Sequence, residues 1–67
     1  MERTELKIRR IAKKMTQQQV AEKMGVSAAT YSFIESGKRS GSIENWAKIR
    51  ELFGLTEEEA WKLMQGE

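Results

Sequence analysis

The sequence predicts an all-α fold of five short helices, and three observations predict it. Apolar residues recur at three- and four-residue spacing, the period of a helix face. Gly25, Gly37, Gly41 and Gly54 punctuate the chain at intervals suited to short helices. Ser or Thr stands where four of the helices would open, and there is no Pro. With 67 residues, a single domain over 1–67 is expected, with a small core.

In the first helix Ile8, Ile11, Ala12 and Met15 fall at i, i+3, i+4 and i+7. They are expected to form its core face, with Leu6 off the stripe. The second helix opens at Thr16, whose hydroxyl and Gln19 make a capping box, and Met15 and Val20 form a hydrophobic staple. Val20, Ala21 and Met24 are its apolar face, and Gly25 ends it. Ser27 caps the third helix, Val26 and Tyr31 make a second staple, Tyr31 and Ile34 point inward, and Gly37 is the stop. Ser42 opens the fourth helix, with Ile43, Trp46, Ala47, Ile49, Leu52 and Phe53 as its inner face and Gly54 at its end. Thr56 and Glu59 box the fifth, which places Ala60, Leu63 and Met64 on one side with Trp61 beside them. Glu57, Glu58 and Glu59 suit the positive end of that helix, which explains them without a metal or a catalytic role.

Composition narrows the function. The chain has no Cys, His or Asp, so the usual nucleophile–base pairs and zinc or iron sites cannot be assembled. No enzyme, cofactor, metal or small-molecule site is expected. No apolar run nears the roughly 20 residues of a membrane span, and the start lacks a signal-peptide core, so a cytoplasmic location is expected. The formal charge of +2 conceals an asymmetry: residues 1–39 carry nine Lys and Arg against four Glu, and residues 40–67 carry three against six. A basic half suits a polyanion, although a solvated basic helix face would look the same.

The stretch from Gln17 to Ile34 is the informative one. Two helices joined by so short a turn must cross steeply, with Ala21 where their backbones approach and Gly25 at the corner. The second is then held out from the body, sized for a major groove. An ordinary helical hairpin would share the caps and glycines.

Residues 15–27, MTQQQVAEKMGVS, followed by IESGKR at 34–39, resemble the Cro/repressor (XRE-like) helix-turn-helix family. Ser42-Ile43-Glu44 and Phe53-Gly54-Leu55 fit its fourth helix, so the likeness spans about residues 6–56. It implies a five-helix, lambda-repressor-like domain that binds operator DNA, with a recognition helix near 28–36. It also implies a homodimer, at least on DNA. Gln17 resembles the residue that touches a backbone phosphate; the alternative is a solvated helix start. Ser27, Ala28, Ala29, Thr30, Ser32 and Phe33 lie along the recognition helix, and Lys38, Arg39 and Ser40 match the loop flanking the DNA backbone. Solvated charge is the alternative for that loop. Glu35 resembles an acid that pairs with a first-helix arginine, here Arg10, which the pairing would aim at a phosphate.

Three positions depart from that pattern. Tyr31 replaces a smaller aliphatic residue, so either the core adjusts or its hydroxyl reaches the surface. Arg9 stands where an apolar residue is usual, which implies a rotated or offset first helix, and Arg50 replaces a small residue. The recognition helix also lacks the Gln, Asn or Arg of bidentate base reading, leaving thymine-methyl contacts or DNA shape. The expected function is a transcriptional regulator, a repressor that occupies a promoter, with Trp61, Leu63 and Met64 as the candidate dimer patch; the alternative, and the commoner fate of such residues, is that they simply seal the core. The rival is a protein-interaction module that keeps the fold and uses Phe33 as its anchor.

Overall fold

The computed structural model describes residues 2–65, and every regular element in it is a helix. In chain order these are α1 (Thr4–Ala12), α2 (Gln17–Met24), α3 (Ala28–Ser36), α4 (Ile43–Phe53) and α5 (Glu57–Met64). The caps are those the sequence spells out. Thr16 and Thr56 each form a full capping box, with Gln19 and Glu59, while Ser27 and Ser42 accept from the amides of Thr30 and Asn45. The Thr56 amide, and behind it Arg9, hold the Glu59 carboxyl below its ordinary pKa.

Leu6, Val20, Ala21, Met24, Tyr31, Ile34, Trp46, Ile49, Phe53, Leu55, Ala60 and Leu63 form one core to which all five helices contribute. The most extensive helix–helix contact is between α2 and α3, where Ala21 lets the backbones close.

Helix α1 sits the other way round from the expected stripe. Ile8 and Ile11 are 53% and 54% exposed, Ala12 is exposed and Met15 is only half-buried, whereas Leu6 is fully buried. The inner face is Arg3, Leu6 and Arg10, spaced i, i+3 and i+7. Its two arginines are polar by composition, and both bond inward to backbone carbonyls, Arg10 also to a carboxylate. Arg9 belongs to neither face. It reaches α5, where Nη2 donates to Glu59 Oε2 at 2.6 Å, in place of an apolar contact.

Helix α4 also differs in part. Trp46, Ile49 and Phe53 point into the core and Leu52 is half-buried, but Ile43 is 83% exposed and Ala47 is exposed. These two flank the inner stripe and, with Trp46, Ala60, Trp61 and Met64, line an open groove of about 230 Å³ between α4 and α5. Arg50 and Glu57 border it, 3.3 Å apart.

Three helices end with the same pair of backbone bonds. At α2 the Val26 amide donates to Ala21 O and Gly25 to Glu22 O; at α4 Leu55 donates to Arg50 O and Gly54 to Glu51 O. At α1 Met15 donates to Arg10 O and Lys14 to Ile11 O, so Lys14 occupies the left-handed position at φ 57° that glycine fills elsewhere. A left-handed L-residue costs about 1–2 kcal/mol, and glycine's larger chain entropy offsets part of that, roughly 0.5–1 kcal/mol. Lys14→Gly is therefore expected to raise unfolding stability by about 0.5–1 kcal/mol in urea denaturation. A decrease would show that this turn carries no such strain.

Candidate nucleic-acid interface

The residues singled out in the sequence fall on α3, the start of α2 and the loop after α3. Ser27, Ala28 and Ala29 are exposed at the start of α3, and Thr30, Ser32 and Phe33 are half-buried along it. Ser27 Oγ accepts from the Thr30 amide and lies 2.9 Å from Thr30 Oγ1, so both hydroxyls serve the cap. The Gly37 turn, φ 84°, then sends the chain into Lys38, Arg39 and Ser40, all exposed. Arg39 folds back: its guanidinium lies 5.1 Å from the Phe33 ring centroid, and its amide donates to Phe33 O at 3.1 Å. Phe33 and Arg39 thus form one compact unit at the edge of α3.

Behind this surface lies a buried polar cluster. Glu35, on the inward side of α3, accepts from Arg10 Nε at 3.0 Å and from the Gln17 amide nitrogen. Arg10 Nη1 donates to Met15 O at 2.8 Å. The predicted Arg10–Glu35 pair is therefore formed, with side chains only 13% and 3% exposed. Gln17 is half-buried, and its amide is spent on Glu35. The cluster ties the last turn of α1 and the first turn of α2 to α3. It sets the angle at which α3 is presented.

Tyr31 lies beside this cluster and is fully buried, so the core has adjusted and the hydroxyl stays inside. That hydroxyl has no hydrogen-bond partner among the described residues. Burial first, and the Glu35 charge second, push its ionisation far above the ordinary phenol range, so it stays neutral.

A model of the helix-turn-helix family matches residues 6–59. The chain belongs to that family. The match begins at Leu6 and runs into the first turn of α5, so it takes in the helix pair α2–α3, the basic loop and α4. No curated protein and no solved structure matches the chain.

As a helix-turn-helix protein of the XRE type, the chain carries a DNA-binding regulatory architecture. One residue of the site escaped sequence reading. Arg3, immediately before α1, is buried, and its main chain and guanidinium both reach the end of α3. An arginine at a helix start carries no local mark of burial. Its partners are carbonyls 31 to 61 residues away. Among the described residues no three acidic side chains gather as a metal site, and no helix is long and apolar enough to cross a membrane.

Proposed function

We propose that this chain is a sequence-specific, double-stranded-DNA-binding transcriptional regulator, acting as a repressor by occupying a promoter. The observation that carries the reading is the exposed start of α3 running into the exposed Lys38-Arg39-Ser40 loop, all backed by the Arg10–Glu35–Gln17 cluster. Helix α3 enters the major groove with Ser27, Ala28, Ala29 and Thr30 leading. Lys38 and Arg39 meet the phosphates, and Ser40 lies on the same rim. Gln17 and Arg10 are held at the helix junction. Their bonds to Glu35 make them positioning groups whose free edges approach the backbone. With two alanines and small hydroxyls leading, α3 supplies fit and methyl contacts, and DNA shape supplies much of the selectivity.

The protein acts as a homodimer on a near-palindromic site, because one protomer offers few base contacts. The open groove between α4 and α5 supports that assembly, with Ile43 and the 61% exposed Trp61 presenting apolar surface. Leu63 takes no part in that patch: it is buried in the core, and Met64 is half-buried. The reading involves no catalytic step, cofactor or small-molecule ligand, and it places the protein in the cytoplasm with the DNA it controls. The alternative of a protein-interaction module loses ground because Phe33 is half-buried beneath Arg39 and offers little free apolar surface as an anchor.

The test is selection from a random duplex library, followed by titration of the recovered duplex across a salt series. Two half-sites, about one helical turn apart, are expected. Four cations from two protomers predict that log K falls with log salt at a slope of about −3 to −4. Failure to enrich any sequence, or affinity indifferent to salt, would refute the reading.

A further inference from the structure

Arg3 is a cation buried against carbonyls. Its Nε donates to Leu63 O at 2.8 Å and Nη2 to Met64 O at 3.2 Å, while Nη1 bridges Ile34 O at 2.5 Å and Arg39 O at 3.0 Å. Its own amide donates to Glu35 O at 2.8 Å. Ile34 and Glu35 lie in the last turn of α3, and Leu63 and Met64 end α5. The negative ends of two helices therefore converge on one guanidinium, which adds a charged donor to Ile34 O beside the Gly37 amide. A planar fork with five N–H groups can serve these directions at once; an ammonium on a flexible stem cannot.

The same guanidinium lies 5.4 Å from the Trp46 ring centroid, and Trp46 Nε1 donates to Ser40 O at 2.6 Å. Two neighbouring carbonyls of the basic loop, Arg39 and Ser40, are thus held from inside by two stacked side chains. Gly41 completes the arrangement at φ 79°: a Cβ there would stand 3.0 Å from Trp46 Nε1 and 3.2 Å from Ile34 Cδ1. Lys38 has no such tie of its own among the described hydrogen bonds and ion pairs, so its placement depends on that of the loop backbone.

From this geometry we infer that Arg3 is the positioning residue of the phosphate-gripping loop, fixing Lys38, Arg39 and Ser40 against the end of α3. The inference rests on the DNA-binding reading above. Arg3 itself touches no DNA. It acts through the loop carbonyl and through the order it imposes on Trp46, so that the cations are already in place when a duplex arrives. Preorganisation of this kind reduces the ordering cost of binding.

The experiment is a mutant cycle on the selected duplex, with each chain first shown to be folded by circular dichroism at the assay temperature. Arg3→Lys keeps the charge and removes the fork. In the native background it is expected to weaken binding about tenfold and to make the salt slope shallower by about 1–2, because loosened loops keep only part of their contacts to the phosphates. In a chain already carrying Lys38→Gln and Arg39→Gln, Arg3→Lys is expected to add less than about twofold, because the groups it positions are gone. An equal loss in both backgrounds, or no loss in either, would overturn the assignment while leaving DNA binding intact. Should Arg3→Lys not fold, Trp46→Phe enters the same cycle: it keeps a ring under Arg3 and releases only Ser40 O. Native protein that ignores duplex DNA would instead sink the underlying reading.

Discussion

Glu35→Ala is expected to destabilise the protein by about 3 kcal/mol, and to do so without exposing any apolar surface of consequence. The carboxylate is the shared acceptor for Arg10 Nε and for the Gln17 amide, and it is almost wholly buried. Truncation leaves a guanidinium in a low-dielectric pocket without its counter-charge. Breaking such a pair from one side typically costs 3–5 kcal/mol. Arg10 keeps the Met15 carbonyl and a little solvent contact, which places the loss at the lower end of that range. A chain of 67 residues has a total stability of roughly 3–10 kcal/mol, so the variant stands near the edge of folding. Thermal denaturation should register a fall of more than about 12 °C. The double variant Arg10→Met with Glu35→Leu removes the charge problem altogether and is expected to be more stable than either single change. It should nevertheless lose DNA affinity, because Gln17 then loses the carboxylate that ties the first turn of α2 to α3. If Glu35→Ala costs less than about 1 kcal/mol, the cluster does not hold the helix pair together.

The contrast between α2 and α1 explains what was legible in the sequence. A capping box is decided by residues three apart, so Thr16 with Gln19 and Thr56 with Glu59 could be read directly. The glycine stops are equally local, because a left-handed residue is demanded by the helix end itself. The boundaries of α3 followed from its Ser27 cap and Gly37 stop for the same reason, whereas the pairing of Arg10 with Glu35, 25 residues apart, came only from the family resemblance. Helix α1 obeys no such local rule. Its apolar stripe is the regular one, yet the helix turns that stripe to solvent and buries an arginine-flanked leucine. Arg3 finds carbonyls at the ends of α3 and α5, and Arg10 finds Glu35, and these partners exist only once the chain has folded. Lys14 defeats the glycine rule in the same helix, so even its end was hidden. The basic loop was legible from the family resemblance, but the clamp beneath it was not. Nothing near Arg3 or Trp46 in sequence indicates that they meet the carbonyls of residues 39 and 40.

Trp46→Ala is expected to be the most damaging single change in the second half of the chain, at about 3–5 kcal/mol. The ring is buried, packs beside Gly41 and Ile34, and forms one wall of the groove between α4 and α5. Alanine removes that area, leaves a cavity beside the core and strips the loop of its only side-chain bond to Ser40 O among the described residues. Trp46→Phe separates the contributions. It retains most of the ring and gives up one hydrogen bond to a partly buried carbonyl, which should cost about 1 kcal/mol, plus a smaller packing loss. Both variants leave Trp61 as the sole tryptophan, so urea unfolding can be followed by its fluorescence alongside circular dichroism. A wide gap between the two variants would show that the ring stabilises α4 by packing, with the Ser40 bond contributing mainly to the placement of the loop. A Trp46→Phe loss as large as that of Trp46→Ala would reverse that apportionment, because the polar bond would then hold the fold and the ring's bulk would matter little. Affinity should separate the two variants far less than stability does. Per folded molecule, Trp46→Phe already releases Ser40 O and so should forfeit most of the DNA affinity that Trp46→Ala forfeits, even though it retains most of the stability.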